Sequence, residues 1–446
     1  MHIKKNINNN LIIFLFAHLV LWTLVPAISN NNLPLDTIEH LAWATNLDFG
    51  YGKHPPLVAW ILGFFYQLFG SQDWSYYFLS QVFVILSFFI VYKFSKFFFT
   101  KKIYCLVSVM LLEGIYFYNY TTPEFNVNIC QLPFWALSAL YFWKSLSSNK
   151  KKDWILFGFF SALGILSKYL FIYLLVSLGL FYIIKSISKK INYNFLFLFI
   201  PFLLILLPHL IWLVENNFST ITYALNRTGL DKAGFSNHMS QPLIFFTKQI
   251  AILIPFFTML FMLVSKFKIK NNFKDKKLLF LITLSLGPII LMFLTSALTG
   301  AKIRTMWMTP FYLFFGVLAV YIFQKQINLN KLKNFVSLFF ILFFLSPFSY
   351  LVVSITQKDK RTDYPGKAIA KKVQDSWNSK YKDKISYVEG NEWVAGNLSY
   401  HLKSRPKWIG SKEKVKSKNK LSIVDVFENN ITEAIHKVGY FKVYGE

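Results

Sequence analysis

The chain has 446 residues, of which 54% are hydrophobic, 19% are aromatic and only 15% are charged, and its formal net charge is +27. With a mean hydropathy of +0.41, this composition excludes an ordinary soluble globular protein and is typical of a polytopic membrane protein. The excess of lysine does not indicate nucleic-acid binding, because it is concentrated in short clusters that separate hydrophobic runs.

These lysine clusters predict the topology, because the positive-inside rule places all of them on the cytoplasmic side. They lie at Lys4-Lys5, Lys93 to Lys102, Lys144 to Lys152, Lys185 to Lys190, Lys266 to Lys277 and Lys325 to Lys333. Between them we expect eleven membrane spans, at about 11–28, 76–98, 103–120, 125–143, 154–167, 169–184, 193–213, 243–264, 278–297, 306–323 and 334–354. An odd number of spans puts the N-terminus in the cytoplasm and the C-terminus outside.

Two apolar runs allow a second interpretation. The run 11–28 follows a basic stretch, as in a signal peptide, but no small-residue cleavage site follows it, so we expect an uncleaved first helix. The run 56–70 opens with two prolines and has only about 15 residues, so we expect it to lie at the outer interface or dip into it. A full crossing there would require one span more or fewer elsewhere.

The segments that this topology places outside carry an unusual set of polar residues. They are Asp36, Glu39, Lys53, His54, Glu124, Lys168, Glu215, Arg227, Lys302 and Arg304. Charged groups at a membrane boundary are costly unless they are paired or functional, so this set predicts a site. Carboxylates in a water-accessible cavity can act as a general base or hold a divalent cation, and nearby Lys or Arg can neutralise a phosphate leaving group.

The tail, about 357–446, predicts a small α/β domain outside the membrane, separate from a transmembrane domain over 1–356. Ile369, Val373 and Trp377 have helical spacing, and short strands are expected at Ile385 to Val388, Ser422 to Phe427 and Tyr440 to Tyr444. The lysines of the tail do not oppose this location, since long domains translocate largely regardless of charge.

Several motifs resemble one family of membrane enzymes. They are Asp36 with Glu39, Gly50-Tyr51, Lys53-His54-Pro55-Pro56-Leu57, Thr122-Pro123-Glu124-Phe125-Asn126, Gly164 to Tyr169, Pro208-His209 with Trp212, Lys302 and Arg304 before Trp307 and Pro310, Tyr364-Pro365-Gly366 and Trp393 to Leu398. With these motifs the chain resembles the family 39 glycosyltransferases of the GT-C fold, which use polyprenyl-phosphate sugars and include protein O-mannosyltransferases and the aminoarabinose transferase of lipid A.

The resemblance implies a fold, a reaction and roles for individual residues. It implies an α-helical polytopic GT-C protein of about eleven spans, with inverting transfer of a sugar from a polyprenyl phosphate and Asp36 as the catalytic carboxylate. Thr37 stands where many members have a second acid, so Glu39 takes that role or none, and Glu124 is the second-loop acid. Lys53, His54, Lys168, Lys302 and Arg304 are the implied contacts of the donor phosphate.

Structural roles for the same residues stay open at this point. Asp36 could serve only as a helix N-cap, and the backbone of its own loop could be the only partner of His54. Lys53 and Lys168 could snorkel to lipid headgroups, and Glu215 with Arg227 could form an ordinary loop ion pair.

The resulting prediction is a multi-pass glycosyltransferase of a bacterial inner membrane. Its partners would be a polyprenyl-phosphate-linked sugar, a lipid, glycan or protein acceptor, and membrane lipids, with no nucleic acid. No cofactor is certain, and a divalent cation held by Asp36 and Glu124 stays open. The alternative is a transporter or flippase of a lipid-linked saccharide, which would need charges near the bilayer midplane, where Glu113 is the main candidate.

Overall fold

The computed structural model describes residues 6–186, 193–230, 233–265, 267, 274–410, 421–422 and 441–445. Within these ranges the chain forms a helical bundle followed by a small α/β segment. The helices of the bundle are α1 (Ile7–Ser29), α2 (Leu35–Trp43), α3 (Leu57–Phe69), α4 (Asp73–Ser95), α5 (Lys102–Met110), α6 (Val127–Ser148), α7 (Lys151–Ser167), α8 (Ile172–Ser186), α9 (Phe199–Glu215), α10 (Ser219–Thr228), α11 (Asn237–Leu263), α12 (Lys276–Thr299), α13 (Phe315–Phe323) and α14 (Leu332–Thr356).

Seven stretches of helix in the described residues are long and apolar enough to cross a membrane, or eight if one bent pair is a single span. They are Ile7–Ser29, Asp73–Ser95, Tyr169–Ser186, Tyr193–Glu215, Asn237–Leu263, Lys276–Thr299 and Leu329–Thr356, with Thr305–Tyr312 and Phe315–Phe323 as the pair bent by 51°. These eight coincide with eight of the eleven spans predicted from the sequence.

The three other predicted spans, 103–120, 125–143 and 154–167, correspond to helices in the middle of the bundle. Helix α5 ends at Met110, where the chain continues as a 3₁₀ turn over Leu111–Gly114. Helix α6 carries the buried polar side chains of Asn128 and Gln131, and α7 has only 17 residues. Much of the surface of these segments is buried within the protein, and among the described residues they do not meet the length and composition expected of a single membrane-spanning helix.

The run 56–70 forms α3, a helix of 13 residues that is too short to cross about 30 Å of hydrocarbon.

Glu113 lies in the 3₁₀ turn after α5, where its Oε1 atom is 2.7 Å from Nδ1 of His18 in α1, and both side chains are buried. The acid in the middle of the bundle is therefore paired inside the protein core.

The C-terminal segment comprises α15 (Gly366–Lys380), β1 (Ile385–Gly390), α16 (Val394–His401), β2 (Lys407–Ile409), β3 (Leu421–Ser422) and β4 (Phe441–Gly445). Its sheet has the strand order β2-β1-β4-β3, with β1 parallel to β2 and antiparallel to β4. Ile369, Val373 and Trp377 form the buried side of α15, as their spacing predicts. The predicted strands at 385–388, 422–427 and 440–444 correspond to β1, β3 and β4, although residues 423–427 and Tyr440 lie outside the described residues.

Candidate functional site

Helix α2 carries the first acids of the site. Ile38, Leu41 and Ala42 are fully buried, which leaves Asp36 and Glu39 together on the opposite, half-buried side of the helix. The N-cap residue is Pro34, and no side chain caps the helix. Asp36 is therefore not used as an N-cap, and its carboxylate is left for another role.

Glu124 lies directly against the start of α2. Its Oε1 atom accepts a hydrogen bond of 2.9 Å from the main-chain N–H of Asp36, and its Oε2 atom accepts one of 3.2 Å from Nδ2 of Asn126. The Asn126 side chain is itself fixed, because its Oδ1 atom caps α6 by accepting from the N–H of Asn128. The structure thus brings the acids of the first and second predicted loops together.

Lys168 approaches the same acids from the end of α7. The residue has extended backbone, and its buried Nζ atom donates a hydrogen bond of 2.5 Å to Oδ1 of Asn128. Nζ also lies 5.5 Å from the ring centre of Trp307. Lys168 therefore points into the protein and does not extend toward solvent or lipid headgroups.

Burial and charge shift the acid–base equilibria of these three groups. Desolvation raises the pKa of Asp36, although the positive charges of Lys168, Lys53 and Arg227 oppose the rise. Burial, with the charge of Asp36 as a second cause, raises the pKa of Glu124 to about 8. Burial lowers the pKa of Lys168 to about 7, against the attraction of Asp36. The site therefore combines a carboxylate surrounded by cations with two groups that titrate near neutral pH.

Lys53 is held by two carboxylates from distant parts of the chain. Its Nζ atom is 3.0 Å from Oε1 of Glu39 and 3.2 Å from Oε1 of Glu392, in the C-terminal segment. Burial alone would lower the pKa of Lys53, but the two acids raise it. Sequence reasoning missed Glu392, although it directly precedes the motif at Trp393.

Two stacked imidazoles lie beside the acids. The rings of His40 and His54 are nearly parallel, with centres 5.6 Å apart, and Nδ1 of His40 donates to the carbonyl oxygen of Asp36 over 2.5 Å. Burial lowers the pKa of His40 to about 4 and that of His54 well below its usual value. Both rings are therefore neutral at physiological pH. His40 was not predicted as part of the site, although it lies one helical turn after Asp36.

The loop after α12 carries two predicted phosphate contacts, Lys302 and Arg304. With the end of α10, this loop forms what we call the rim of the site. The N–H of Lys302 donates to the carbonyl oxygen of Thr228 over 3.0 Å, so this loop touches the end of α10, and the Lys302 side chain is exposed. Arg304 is half-buried, and its Nε atom is buried without a hydrogen-bond partner among the described residues. Arg227, in the last turn of α10, is the arginine whose charge acts on Asp36. The alternative that the sequence left open, an ion pair of Arg227 with Glu215, does not occur within the described ranges.

A hydrogen-bonded relay fixes the loop between α2 and α3. Nδ1 of His209 donates to the carbonyl oxygen of Phe49 over 2.6 Å, and Nε2 accepts from the hydroxyl of Tyr169 over 2.7 Å. Gly50 is required here, since a Cβ atom would lie 2.3 Å from the ring of Trp212. The relay joins Lys168, through its neighbour Tyr169, to the loop that carries Lys53.

An apolar groove of about 980 Å³ begins beside this rim. It runs between α11 and α12, and its lining includes Phe246, Leu253 and Phe293. Ser236 and His238 line one end of the groove. His238 lies close to Gly300, which is two residues before Lys302. A long hydrophobic chain could therefore leave the cationic rim along the surface of the helical bundle.

The sequence leaves open a divalent cation held by Asp36 and Glu124. No group of three or more His, Cys, Asp or Glu residues that could hold a metal occurs in the part of the chain that the structure describes. Both carboxylate oxygens of Glu124 accept N–H bonds, from Asp36 and Asn126.

Comparison with known proteins agrees with the resemblance noted in the sequence. Residues 53–212 match the family model described as dolichyl-phosphate-mannose-protein mannosyltransferase. The chain is 21% identical over 379 residues to the lipid A galacturonosyltransferase RgtD of Rhizobium johnstonii, an alignment that covers 83% of this chain and 77% of that protein.

Two solved structures of the oligosaccharyltransferase of Archaeoglobus fulgidus are also similar. One, of AglB with an inhibitory peptide and a dolichol-phosphate, is 11% identical with a TM-score of 0.46 over 90% of this chain. The other, tethered to an acceptor peptide, is 12% identical with a TM-score of 0.44 over 92%. The chain covers 64% of each of those chains, slightly less than two thirds of their length. The family-model match, the galacturonosyltransferase relative and the long apolar helices identify the chain as a membrane glycosyltransferase, similar over residues 53–212 to the protein mannosyltransferases.

Proposed function

We propose that the protein transfers a sugar from a polyprenyl-phosphate donor to an acceptor at the outer face of the membrane, with Asp36 as the catalytic carboxylate. The observation that carries this proposal is the position of Asp36. Burial raises the pKa of this acid, and the charges of Lys168, Lys53 and Arg227 lower it. A base beside several cations suits a reaction that removes a proton from one partner and releases a phosphate from the other.

The proposed reaction is a single displacement at the anomeric carbon. Asp36 takes the proton of the acceptor hydroxyl, and the oxygen of that hydroxyl attacks the anomeric carbon from one side. The bond between the anomeric carbon and the phosphate oxygen breaks on the other side. The sugar is therefore inverted and polyprenyl phosphate leaves. Lys168, Arg227 and Arg304 stabilise the charge on that phosphate, while Lys53 exchanges a carboxylate partner for it.

The groove between α11 and α12 is the proposed site of the donor's polyprenyl chain. Its lining is almost entirely apolar, and His238 at one end lies close to Gly300, two residues before Lys302. A donor with its phosphate at this rim would keep its tail in a hydrophobic environment, which fits an amphiphilic substrate.

The acceptor class is linked to the role of Asp36. A hydroxyl of a lipid, glycan or protein needs a general base, whereas a phosphate acceptor does not. The name of the Rhizobium relative supports a lipid A-like acceptor. We place the reaction in a bacterial inner membrane, with the N-terminus cytoplasmic, residues 1–356 as the transmembrane domain and residues 357–446 as an extracytoplasmic domain.

The test compares lipid A, surface glycan and glycoprotein masses from cells that express wild-type protein, Asp36→Asn or Asp48→Asn. Asp48 is the matched control, because it is an exposed acid in the same loop region. The product is expected with wild type and Asp48→Asn and should be lost with Asp36→Asn. Unchanged product in Asp36→Asn at equal expression would contradict the catalytic assignment. Chelator added to a membrane assay tests the divalent cation, since undiminished transfer excludes an exchangeable metal.

A further inference from the structure

A second groove, of about 580 Å³, lies between α8 and α12. Three lysines line it together with apolar side chains: Lys185 from the last turn of α8, and Lys274 and Lys276 from the start of α12 and the residues before it. Leu180, Ile184 and Leu279 line the same groove, and all three are exposed on the surface of the bundle. The groove therefore has a cationic end and an open apolar wall.

This groove is far from the proposed catalytic site. Helix α8 starts shortly after Lys168, and Lys185 lies 17 positions further on, which is about 25 Å along a helix at 1.5 Å per residue. Helix α12 likewise ends at Thr299, beside the rim of the site, and begins at Lys276. The three lysines are therefore at the opposite end of the bundle from Asp36.

The way in which α8 and α12 meet explains the opening. The hydroxyl of Ser177 donates to the carbonyl oxygen of Thr283 over 2.7 Å, and a Cβ atom on Gly287 would lie 2.0 Å from the Ser177 hydroxyl. The helices are thus in close contact in their middle. Beyond this contact, the longer side chains of Leu180, Ile184 and Leu279 border the open groove.

Asp275 and Lys277, the sequence neighbours of Lys274 and Lys276, make contacts away from the groove. Oδ1 of Asp275 accepts from the N–H of Lys277 and caps α12, while Oδ2 accepts from the hydroxyl of Tyr321. Nζ of Lys277 donates to the carbonyl oxygen of Phe97 near the end of α4. Neither Asp275 nor Lys277 lines the groove. Among the described residues that line the groove, the charged ones are Lys185, Lys274 and Lys276.

We propose that this groove binds an anionic phospholipid. The phosphate contacts Lys185, Lys274 and Lys276, and one acyl chain lies along the exposed apolar side of α8 and α12. Basic pockets between membrane helices are suited to anionic headgroups, because each nearby Lys or Arg adds attraction for the phosphate. The occupant is a structural or regulatory lipid and not the sugar donor, because a phosphate on Lys185 would lie about 25 Å along the helix from Lys168 of the catalytic site.

The test measures lipid binding to the purified full-length protein by native mass spectrometry. Wild type should bind dioleoyl-phosphatidylglycerol at least about tenfold more tightly than dioleoyl-phosphatidylcholine, given three lysines. The combined variant Lys185→Gln, Lys274→Gln and Lys276→Gln should lose most of this preference. The matched control changes Lys93, Lys96 and Lys101 to Gln, which removes three exposed lysines near the ends of α4 and α5, and should keep the preference.

Three outcomes would overturn the proposal. The first is equal binding of the two lipids to wild type, and the second is an equal loss of preference in both triple variants. The third is displacement of phosphatidylglycerol by glycerophosphoglycerol, which lacks acyl chains, at the same concentration as by the intact lipid. That result would mean that the lysines bind a phosphate and that the apolar wall contributes nothing.

Discussion

Nη2 of Arg405 donates a hydrogen bond of 2.6 Å to the main-chain carbonyl oxygen of Leu41, in the last turns of the helix that carries Asp36. The same guanidinium lies 3.9 Å from the ring centre of Tyr66 in α3. One side chain of the C-terminal segment thus holds the end of α2 and the body of α3 in a fixed relation. Carbonyls near a helix end lack intrahelical partners, so this contact satisfies a group that would otherwise be left unpaired.

Replacing Arg405 by Ala should destabilise this part of the protein and reduce transfer. The change leaves the Leu41 carbonyl without its donor, at a cost of about 1–3 kcal/mol, and removes a cation–π contact worth about 0.5–2 kcal/mol. We expect Arg405→Ala to have a lower melting temperature in detergent and a lower transfer rate than wild type. Arg405→Lys should lie between wild type and Arg405→Ala in both measurements. Lys403→Ala, at an exposed position two residues away, is the control. Wild-type stability and rate in Arg405→Ala would show that the contact does not support α2.

Replacing Gly396 by Leu should push α16 away from α2. A Cβ atom at this position would lie 3.1 Å from Cβ of Ala42 and 3.2 Å from Cγ2 of Ile38, so a larger side chain cannot fit without displacement. Overpacking of this kind costs about 1–3 kcal/mol, and transfer should fall because Asp36 moves with the helix. Gly179→Leu is the matched control, since a Cβ atom at that position would meet no other atom within 4 Å. Equal rates for the two variants would argue against a functional contact between α2 and α16.

Replacing Lys168 by Arg should move the alkaline limb of the pH–rate profile. The pKa of Lys168 is lowered to about 7 by burial, so the lysine is charged below that pH and loses its charge as the pH rises through it. An arginine stays charged throughout, so kcat/KM should hold to a pH at least about one unit higher. The acid limb, which reports the Asp36 carboxylate that acts as the base, should move less. An alkaline limb at the same pH in both proteins would exclude Lys168 as its source.

Replacing Glu392 by Gln should improve donor binding. In the protein without donor, Lys53 is shared between Glu39 and Glu392, and the phosphate must compete with both acids. A partly exposed ion pair is worth about 0.2–1 kcal/mol, so the KM for the donor should fall by up to about fivefold. Glu389→Gln, three residues earlier in β1, is the control. A raised KM in Glu392→Gln would indicate that Glu392 positions Lys53 and does not compete for it.

The sequence predicts much of the architecture because hydrophobic length is a local property. Eight predicted spans correspond to long apolar helices, and the buried side of α15 follows from the spacing of Ile369, Val373 and Trp377. The apolar side chains of α5 to α7, which the sequence also predicts to be spans, are largely buried within the protein. A hydropathy pattern records that a side chain avoids water and does not record which neighbour covers it.

The candidate site is predictable only in part, for a related reason. The topology put Asp36, Glu124 and Lys168 on one side of the membrane, and the structure brings these three together. Contacts that depend on the third dimension were missed, such as those of Glu392 with Lys53 and of Arg405 with Leu41. Each of them joins segments that are more than 150 positions apart, and no local pattern marks the partner.

The bond between Arg405 and Leu41 joins residues 364 positions apart, and this separation has a consequence for biosynthesis. At roughly 5–20 residues per second, the ribosome needs on the order of 20 to 70 seconds after Leu41 to reach Arg405. During this interval the membrane helices can insert while α2 still lacks its C-terminal support. A chain released before Arg405 is made would carry Asp36 on a helix whose Leu41 carbonyl lacks this donor.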